Sequence, residues 1–304
     1  MTAFFVANLL LGLSSLATSA NLTQVFEWPD GFDYDWPSEK IKTQALGGET
    51  FKPENIKPRF MAVYGERIFL SLYRYGVPAT LVSFPTSTAS SAPPKLTPFP
   101  SWDMYLNESG NCDKIDRAAG MQVDSVGRLW VLNVGNSNCN GKLLEKNESR
   151  IVDTEEKDVC SIALSPKCEL RQLYFSTFHS NELYSIPVAT LRNGTGTSNP
   201  ELIGNWTEIS AYRMLMDMHR TMYATFMWMD YISSWNTCQP FQQQRFYQVP
   251  GLDFVWPFTL SLDQNGTFWV MVPFDERKPK LLKAAKSFEG SPECSTLSTK
   301  NDAA

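Results

Sequence analysis

The 304-residue sequence contains few of the residues on which most catalytic centres depend. It has two histidines, and its charged residues make up 19% of the chain, with a formal net charge of -5. It has no run of lysines and arginines of the kind that neutralises phosphates in nucleic-acid-binding proteins. It also has no Gly-X-Ser-X-Gly elbow, no phosphate-cradling glycine loop and no His-Glu-X-X-His motif. We therefore expect small molecules or proteins as partners, no nucleic acid, and no cofactor.

The two histidines are weak catalytic candidates. A nucleophilic triad needs a serine, cysteine or threonine beside a histidine and an orienting acid. His179 and His219 each stand among polar turn residues, where a structural hydrogen bond is the simpler interpretation. Asp124 and Asp263 could belong to a metal ring, but an aspartate before a glycine turn favours a hairpin cap that accepts backbone N–H bonds. The sequence thus predicts no catalytic residue and no metal ligand.

Only one long apolar run is present, and it lies at the start of the chain. Residues 2–20 carry no ionisable side chain and end in Ala17-Thr18-Ser19-Ala20, small residues of the kind that a signal peptidase accepts. The run is short for a bilayer span, and the sequence offers no second candidate. We predict a signal peptide over residues 1–20, a secreted extracellular protein and no membrane association.

Sequons and cysteines fit a secreted chain, because glycosylation and disulfide formation occur in the secretory pathway. Six sequons lie at Asn21, Asn107, Asn147, Asn193, Asn205 and Asn265. Six cysteines, candidates for up to three disulfides, lie at Cys112, Cys139, Cys160, Cys168, Cys238 and Cys294. Their spacing matches no zinc pattern, and one sequence does not determine their pairing.

Strand signals dominate the rest of the chain, and the strongest is the stretch from residue 121 to residue 135. A hydrophobic strand leads into an Asp-Ser-Val-Gly turn, and Leu129-Trp130-Val131-Leu132 leaves it, which is the pattern of a β-hairpin. Weaker copies repeat this order of polar turn and aromatic-rich strand. The equivalent positions are Ile68, Leu129, Leu173, Met222 and Phe268, at intervals of 61, 44, 49 and 46 residues. These intervals are the size of one propeller blade.

The fold class follows from this spacing. Helical periodicity is not sustained anywhere, and short strands recur regularly, so we predict an all-β fold. A hydrophobic content of 43% in a chain of this length allows one large core built from repeats. We expect a single β-propeller domain over residues 21–290 and a flexible tail over residues 291–304.

Several phrases of the sequence, in this order, resemble the major royal jelly protein and insect Yellow family. They are Asp33-Tyr-Asp-Trp-Pro-Ser-Glu, Gly48-Glu-Thr-Phe-Lys-Pro-Glu-Asn, Tyr64-Gly-Glu-Arg-Ile-Phe, Gly76-Val-Pro-Ala-Thr-Leu, Pro98-Phe-Pro-Ser-Trp, Gly127-Arg-Leu-Trp-Val-Leu, Ile162-Ala-Leu-Ser-Pro, Leu191-Arg-Asn and Trp235-Asn-Thr. The resemblance covers most of the mature chain. It implies a secreted six-bladed β-propeller with a ligand cavity at one end of the central channel.

Two departures distinguish this chain from the family pattern. The family usually carries much more chain between the Leu-Trp-Val-Leu hairpin and the Ala-Leu-Ser-Pro strand than the stretch from Asn133 to Ile162 provides. Together with the five repeat centres, this predicts a propeller shortened by roughly one blade or more, incomplete or closed again with about five blades. The family also commonly has cysteines where this chain has Val126 and Ser234, so at least part of its usual disulfide scheme is not expected.

The resemblance also suggests a ligand-binding wall, since salivary family members bind biogenic amines near the channel mouth. An aromatic wall with asparagine and threonine acceptors suits a protonated amine or a catechol. The candidates are Trp235, Asn236, Thr237, Phe254, Trp256 and Phe274. Packing in a blade core is the alternative for Trp235, and Val272-Pro273-Phe274 departs from the Ser-Asn/Asp-Arg that the family often shows. Methionines between residues 214 and 229 could line a pliable pocket, although inter-blade packing is the simpler interpretation.

Three hypotheses for function remain open. The first is a non-catalytic, Yellow-like protein that acts in cuticle pigmentation or binds small amines or catechols in the propeller channel. The second is a dopachrome-converting isomerase, which would need a placed acid and base. The third is a nutritive or structural secreted protein. We favour the first, because the sequence offers no evident catalytic residue.

Overall fold

The computed structural model describes residues 22–48, 51–105, 115, 118–123, 127–133, 142–143, 159–166, 171–177, 179–193, 199–209, 211–249, 256–272 and 278–284. Within these residues the chain is almost entirely strand and loop, with two short α-helices, α1 (Glu39–Gly47) and α2 (Val188–Asn193). The all-β prediction is confirmed. The predicted signal peptide and the predicted C-terminal tail lie outside the described residues, and no described helix is long and apolar enough to cross a membrane.

Five antiparallel sheets follow one another along the described chain, after an opening strand β1 (Leu22–Glu27). Sheet one contains β2 (Pro58–Tyr64), β3 (Arg67–Leu72), β4 (Leu81–Pro85) and β5 (Thr97–Pro98). Sheet two contains β6 (Ala118–Val123), β7 (Leu129–Asn133) and β8 (Lys142–Leu143). Sheet three contains β9 (Val159–Leu164), β10 (Gln172–Thr177), β11 (Glu182–Pro187) and β12 (Glu201–Asn205). Sheet four contains β13 (Ala211–Met216), β14 (Thr221–Phe226), β15 (Tyr231–Asn236) and β16 (Gln244–Gln248). Sheet five contains β17 (Thr259–Leu262), β18 (Phe268–Val272) and β19 (Lys280–Ala284).

The opening strand completes the last sheet. β1 pairs antiparallel with β19, so that Leu22 lies opposite Ala284 and Glu27 lies opposite Lys280. Sheet five therefore has the order β1-β19-β18-β17. Because β1 covers the outer edge of β19, this pairing joins the two ends of the described chain and protects an edge that would otherwise be open.

The five repeat centres predicted from the sequence occupy equivalent places in the five sheets. Each lies on the second strand of its sheet, opposite the last or next-to-last residue of the first strand. The pairs are Ile68 with Val63, Leu129 with Val123, Leu173 with Leu164, Met222 with Met216, and Phe268 with Leu262. The repeat in the sequence is thus the inner hairpin of each sheet.

An aspartate caps the inner hairpin of sheet five, as the sequence predicts. Asp263 Oδ1 accepts hydrogen bonds from the backbone N–H groups of Asn265 and Thr267, both at 2.9 Å. Its Oδ2 accepts a bond from the indole Nε1 of Trp269 at 3.1 Å. The turn places Gly266 at a φ of 77°, which a residue without Cβ adopts at little cost. One carboxylate therefore accepts hydrogen bonds from the backbone of the turn and from a buried indole.

Sheet four repeats this device with a different ring. Asp217 Oδ1 accepts bonds from the N–H groups of His219 at 2.9 Å and Thr221 at 2.8 Å, and Oδ2 accepts from the Tyr223 hydroxyl at 3.1 Å. His219 thus takes part in the cap through its backbone. The aspartate of the sheet-two turn, Asp124, lies outside the described residues.

Apolar clusters fill four boundaries between neighbouring sheets in the described part of the chain. Burial of one such side chain contributes about 1.5–3 kcal/mol. Representative members are Val63, Leu70 and Met271 between sheets five and one; Leu81, Ile115 and Ala118 between one and two; Leu183, Trp206 and Met222 between three and four; and Tyr223, Phe258 and Val270 between four and five. Residues 144–158, which connect sheets two and three in the sequence, lie outside the described residues. The number of blades in the complete ring therefore stays a prediction.

The predicted modification sites are only partly placed. Asn205 and Asn265 are exposed, and Asn193 ends α2, while the other three sequons lie outside the described residues. Among the cysteines, Cys160 lies in β9 and Cys238 follows β15. The remaining four fall outside the described ranges. Cys238 is disulfide-bonded, whereas the pairing of the six cysteines and glycosylation stay predictions.

Candidate functional site

The first strands of the five sheets, β2, β6, β9, β13 and β17, surround a central cavity of about 1150 Å³. Small-molecule sites in proteins span roughly 300–1,000 Å³, so this cavity has room for a ligand and several waters. Most of its wall is apolar, with residues such as Met61, Met121, Val131, Leu215 and Leu260. Because every described sheet contributes, the cavity is a product of the ring and of no single segment.

Two arginines mark the end of the cavity where β2 and β13 begin. The strand pairing shifts register at Arg59 in β2 and directly before Arg213 in β13. Such bulges redirect side chains, and both arginines line the cavity. Arg213 Nε donates a hydrogen bond to the carbonyl oxygen of Arg59 at 2.9 Å, and its Nη1 donates to the carbonyl oxygen of Tyr212 at 2.6 Å. The two inner strands are thereby tied together at this end.

Aromatic rings fix the orientation of both guanidinium groups. Arg213 Cζ lies 3.6 Å from the ring centroid of Phe60 and 4.1 Å from that of Tyr212. Arg59 Cζ lies 5.9 Å from Phe60 and 6.0 Å from Tyr73. Cations within about 6 Å of a ring face are attracted to it, so these contacts hold the charged groups in place. We call Arg59, Phe60, Tyr212 and Arg213 the arginine end of the cavity.

The opposite end has a different character. Arg171 lines the cavity there, and its Nε donates to the carbonyl oxygen of Ser165 at 3.1 Å. Asp263 and Gln264 also line this end, and Gln264 Oε1 accepts a bond from the N–H of Gly65 at 2.8 Å. Asp263 is the sole carboxylate among the described lining residues, and both its oxygens accept bonds within the protein. The described wall therefore carries three arginines and one carboxylate, whose oxygens both accept hydrogen bonds from the protein.

Trp235, a predicted ligand contact, lies in the apolar cluster between sheets three and four. It is 5% exposed, and its ring centroid is 5.9 Å from that of Tyr174 and 5.1 Å from that of Phe241. Its Nε1 donates to the carbonyl oxygen of Gln239 at 3.1 Å. These contacts are those of a blade-core residue, the alternative that the sequence also allowed.

Asn236 and Thr237 lie at the end of β15, where they shape the next turn. Asn236 Oδ1 accepts a bond from the N–H of Cys238 at 2.9 Å, and Thr237 Oγ1 donates to the carbonyl oxygen of Arg220 at 3.0 Å. Neither residue lines the central cavity. Their predicted role in ligand binding stays a prediction.

Among the candidates that the structure describes, Trp256 lies nearest the arginine end. Its Nε1 donates to the carbonyl oxygen of Pro58 at 2.6 Å, directly before Arg59. Its ring centroid is 5.3 Å from that of Tyr73 and 6.2 Å from that of Tyr212. It therefore supports the rings that hold the arginines. Phe254 and Phe274 lie outside the described residues.

The arginine end is the feature that sequence reasoning missed. Arg59 and Arg213 are isolated charges inside otherwise apolar inner strands, and that pattern could have marked them. Met214 and Met216 share two roles, because they line the cavity and also join the cluster between sheets three and four. His179 and His219 do not line the cavity, and no group of three His, Cys, Asp or Glu side chains in the described ranges is placed to hold a metal ion.

Repeated antiparallel sheets around a central cavity define a β-propeller with a ligand-sized channel. Residues 142–285 match the family model described as Major royal jelly protein. Over 117 residues, the chain is 33% identical to Protein yellow of Drosophila melanogaster and 34% identical to Protein yellow of Drosophila subobscura. Over the matched residues, these comparisons confirm the resemblance to the major royal jelly protein and Yellow family. The aligned stretch is 38% of this chain and 21% and 20% of the two relatives, so it spans about a fifth of their length.

Solved structures give weaker likenesses. Luciferin-regenerating enzyme matches with a TM-score of 0.39 and 12% identity, covering 77% of this chain and 80% of that one. Regucalcin, a calcium-binding protein from Agrobacterium tumefaciens, matches with a TM-score of 0.38 and 14% identity, covering 76% of each chain. Both scores are below 0.5, so neither likeness bears on function.

Proposed function

We propose that this chain is a secreted, non-catalytic, Yellow-like protein that binds a small aromatic compound, an amine or a catechol, in its central cavity. The observation that carries the proposal is the cavity of about 1150 Å³ walled by the inner strands of all five described sheets. A cavity of that size has room for a single-ring compound, and burial in such a site removes much of a ligand's apolar surface from water.

The wall offers the contacts that such a ligand needs. Phe60, Tyr64 and Trp130 line the cavity and present ring faces or edges to an aromatic guest. Gln122 and Ser261 supply polar atoms that can bond phenolic hydroxyls. A mostly apolar wall with a few polar groups is the composition expected of a binding site for small molecules.

The polar groups of the wall favour binding over catalysis. Dopachrome conversion shifts protons and needs a placed acid and base. Asp263 accepts three hydrogen bonds from its own hairpin and Trp269, which hold it as a structural carboxylate. His179 and His219 lie away from the cavity wall. These placements support the non-catalytic form of the proposal.

Secretion and a role in cuticle pigmentation belong to the same proposal. The apolar run before Ala20 and the similarity to Protein yellow support them. Expression in insect cells should release the protein into the medium with Asn21 as its first residue. Retention of the chain inside the cells, with residues 1–20 uncleaved, would contradict secretion.

Calorimetric titration tests the binding function. The panel contains dopamine, octopamine, serotonin and 3-(3,4-dihydroxyphenyl)propionate, which cover both amines and catechols. We expect saturable heat with at least one compound and no chemical turnover. Flat titrations with all four would refute the binding function, and loss of dopachrome absorbance above the spontaneous rate would refute the non-catalytic part.

A further inference from the structure

We infer that the ligand of the central cavity carries a carboxylate, and that Arg59 and Arg213 bind it at the arginine end. The inference rests on the proposed function, because it names the chemical class of the compound that the same cavity holds. It also departs from the expectation of a protonated amine. The ligand class that the site selects is an aromatic acid.

The charge of the wall is the first argument. Arg59, Arg171 and Arg213 line the cavity with Asp263 as the sole acid among the described lining residues. Asp263 lies at the opposite end from Arg59, and its oxygens already accept three bonds. In a confined cavity with low-dielectric walls, such an excess of one charge concentrates ions of the opposite sign. An ammonium group would meet like charge at the arginine end, whereas a carboxylate would meet attraction.

The bonding state of Arg59 is the second argument. Its Nε is buried and has no hydrogen-bond partner among the described residues. A buried donor without an acceptor is costly, so a shift of the Arg59 side chain that brings Nε to an acceptor in the cavity relieves a cost that the unliganded protein carries. Guanidinium and carboxylate match in shape and form two parallel N–H···O bonds, which a neutral or cationic group cannot reproduce.

Preorganisation is the third argument. Arg213 is held by the carbonyl oxygens of Arg59 and Tyr212, and its guanidinium lies 3.6 Å from the Phe60 ring centroid. Fixing a charged group before the ligand arrives reduces the entropy lost on binding. Phe60 also gives the aromatic part of an acid a surface beside its carboxylate. The end of the cavity is therefore built to recognise ring and charge together.

A pair of catechols that differ mainly in charge tests the inference. Dopamine and 3-(3,4-dihydroxyphenyl)propionate share a ring and a two-carbon chain, and end in an ammonium and a carboxylate. For the wild type we expect the acid to bind at least about tenfold more tightly than dopamine, since one bidentate ion pair accounts for such a factor. The methyl ester of the acid, which has no charge, should bind more weakly than the acid. An ester equal to the acid would overturn the inference.

Three variants localise the effect. Arg59→Gln should weaken binding of the acid by roughly tenfold and leave the affinity for dopamine unchanged or higher. Arg59→Lys keeps the charge but loses the planar guanidinium that forms two parallel bonds, so its affinity for the acid should lie between those of the wild type and Arg59→Gln. Arg171→Gln removes the same charge from the opposite end and should change the affinity for the acid by less than about threefold. Melting temperatures of all variants check that they fold.

The outcomes separate this inference from the proposed function. If dopamine binds as tightly as the acid, or if Arg59→Gln leaves the acid unaffected, the inference is wrong and the binding function stands. If no compound of the panel binds, the proposed function fails and the inference fails with it.

Discussion

The substitution Asp263→Asn should destabilise the protein more than the equivalent Asp217→Asn, although both remove the same charge from the same kind of turn. In each variant, one amide oxygen can still accept the two backbone N–H bonds of the turn. The amide nitrogen then faces the group that bonded to Oδ2, the indole of Trp269 or the hydroxyl of Tyr223. An indole N–H can only donate, whereas a tyrosine hydroxyl can rotate and accept.

The magnitude follows from these partners. Exchanging a charged acceptor for a neutral one costs about 1 kcal/mol at each site. At Asp263 the Trp269 indole, which is 4% exposed, also loses its acceptor, and a buried donor left unpaired costs about 1–3 kcal/mol. We expect losses of roughly 2–4 kcal/mol for Asp263→Asn and about 1 kcal/mol for Asp217→Asn.

Urea unfolding followed by circular dichroism measures this difference. The midpoint should fall further for Asp263→Asn at an unchanged m-value, which shows that stability and not compactness has changed. Equal losses at the two positions, or a larger loss for Asp217→Asn, would refute the assignment of Trp269 as the decisive partner.

Two further predictions concern packing and alkaline pH. A Cβ at Gly204 would lie 2.4 Å from Phe241, so Gly204→Ala should lower the free energy of unfolding by about 1–3 kcal/mol. Gly266→Ala should lower it less, by about 1 kcal/mol, because its Cβ meets open space and only the positive φ opposes it. Thermal melting ranks the two, and the reverse order would contradict the packing. Burial and the hydrogen bond that Tyr231 donates to Glu208 raise the pKa of Tyr231 from its ordinary 10.0 to about 12. Because the pKa is higher in the folded protein, the stability contribution of Tyr231 is present below pH 10 and is lost as pH rises toward 12. The free energy of unfolding of Tyr231→Phe should therefore fall less steeply over this pH range. Identical profiles of unfolding free energy against pH for the two proteins would contradict this.

The sheets could be predicted because their signal is local. A turn and the strand that follows it lie within about ten residues, so Ile68, Leu129, Leu173, Met222 and Phe268 reveal their equivalence through pattern and spacing alone. The same is true of Asp263, whose bonding partners lie two to six residues further along the chain. Local hydrogen bonding of this kind is readable from sequence.

The cavity could not be predicted in the same way, because its wall joins residues far apart in the chain. Arg59 meets Arg213 only when sheets one and four lie in the ring, and a register shift in each strand sets how the side chains are directed. Trp235 shows how one residue type left two alternatives open in the sequence. Aromatic character favours both a ligand wall and a blade core, and only the position of Tyr174 and Phe241 shows that its indole packs in the core.

The central claim is that the ligand occupies the central cavity. Its most direct test is a calorimetric titration of a variant in which a larger side chain fills part of that cavity. Ile162 lines the cavity with 58% of its surface exposed, so Ile162→Trp adds an indole to the cavity without displacing the buried core. Titration with 3-(3,4-dihydroxyphenyl)propionate should give saturable heat for the wild type and at least about tenfold weaker binding for the variant, because the added ring excludes the guest. Equal affinity in the two proteins at equal melting temperature would place the ligand elsewhere and contradict the account.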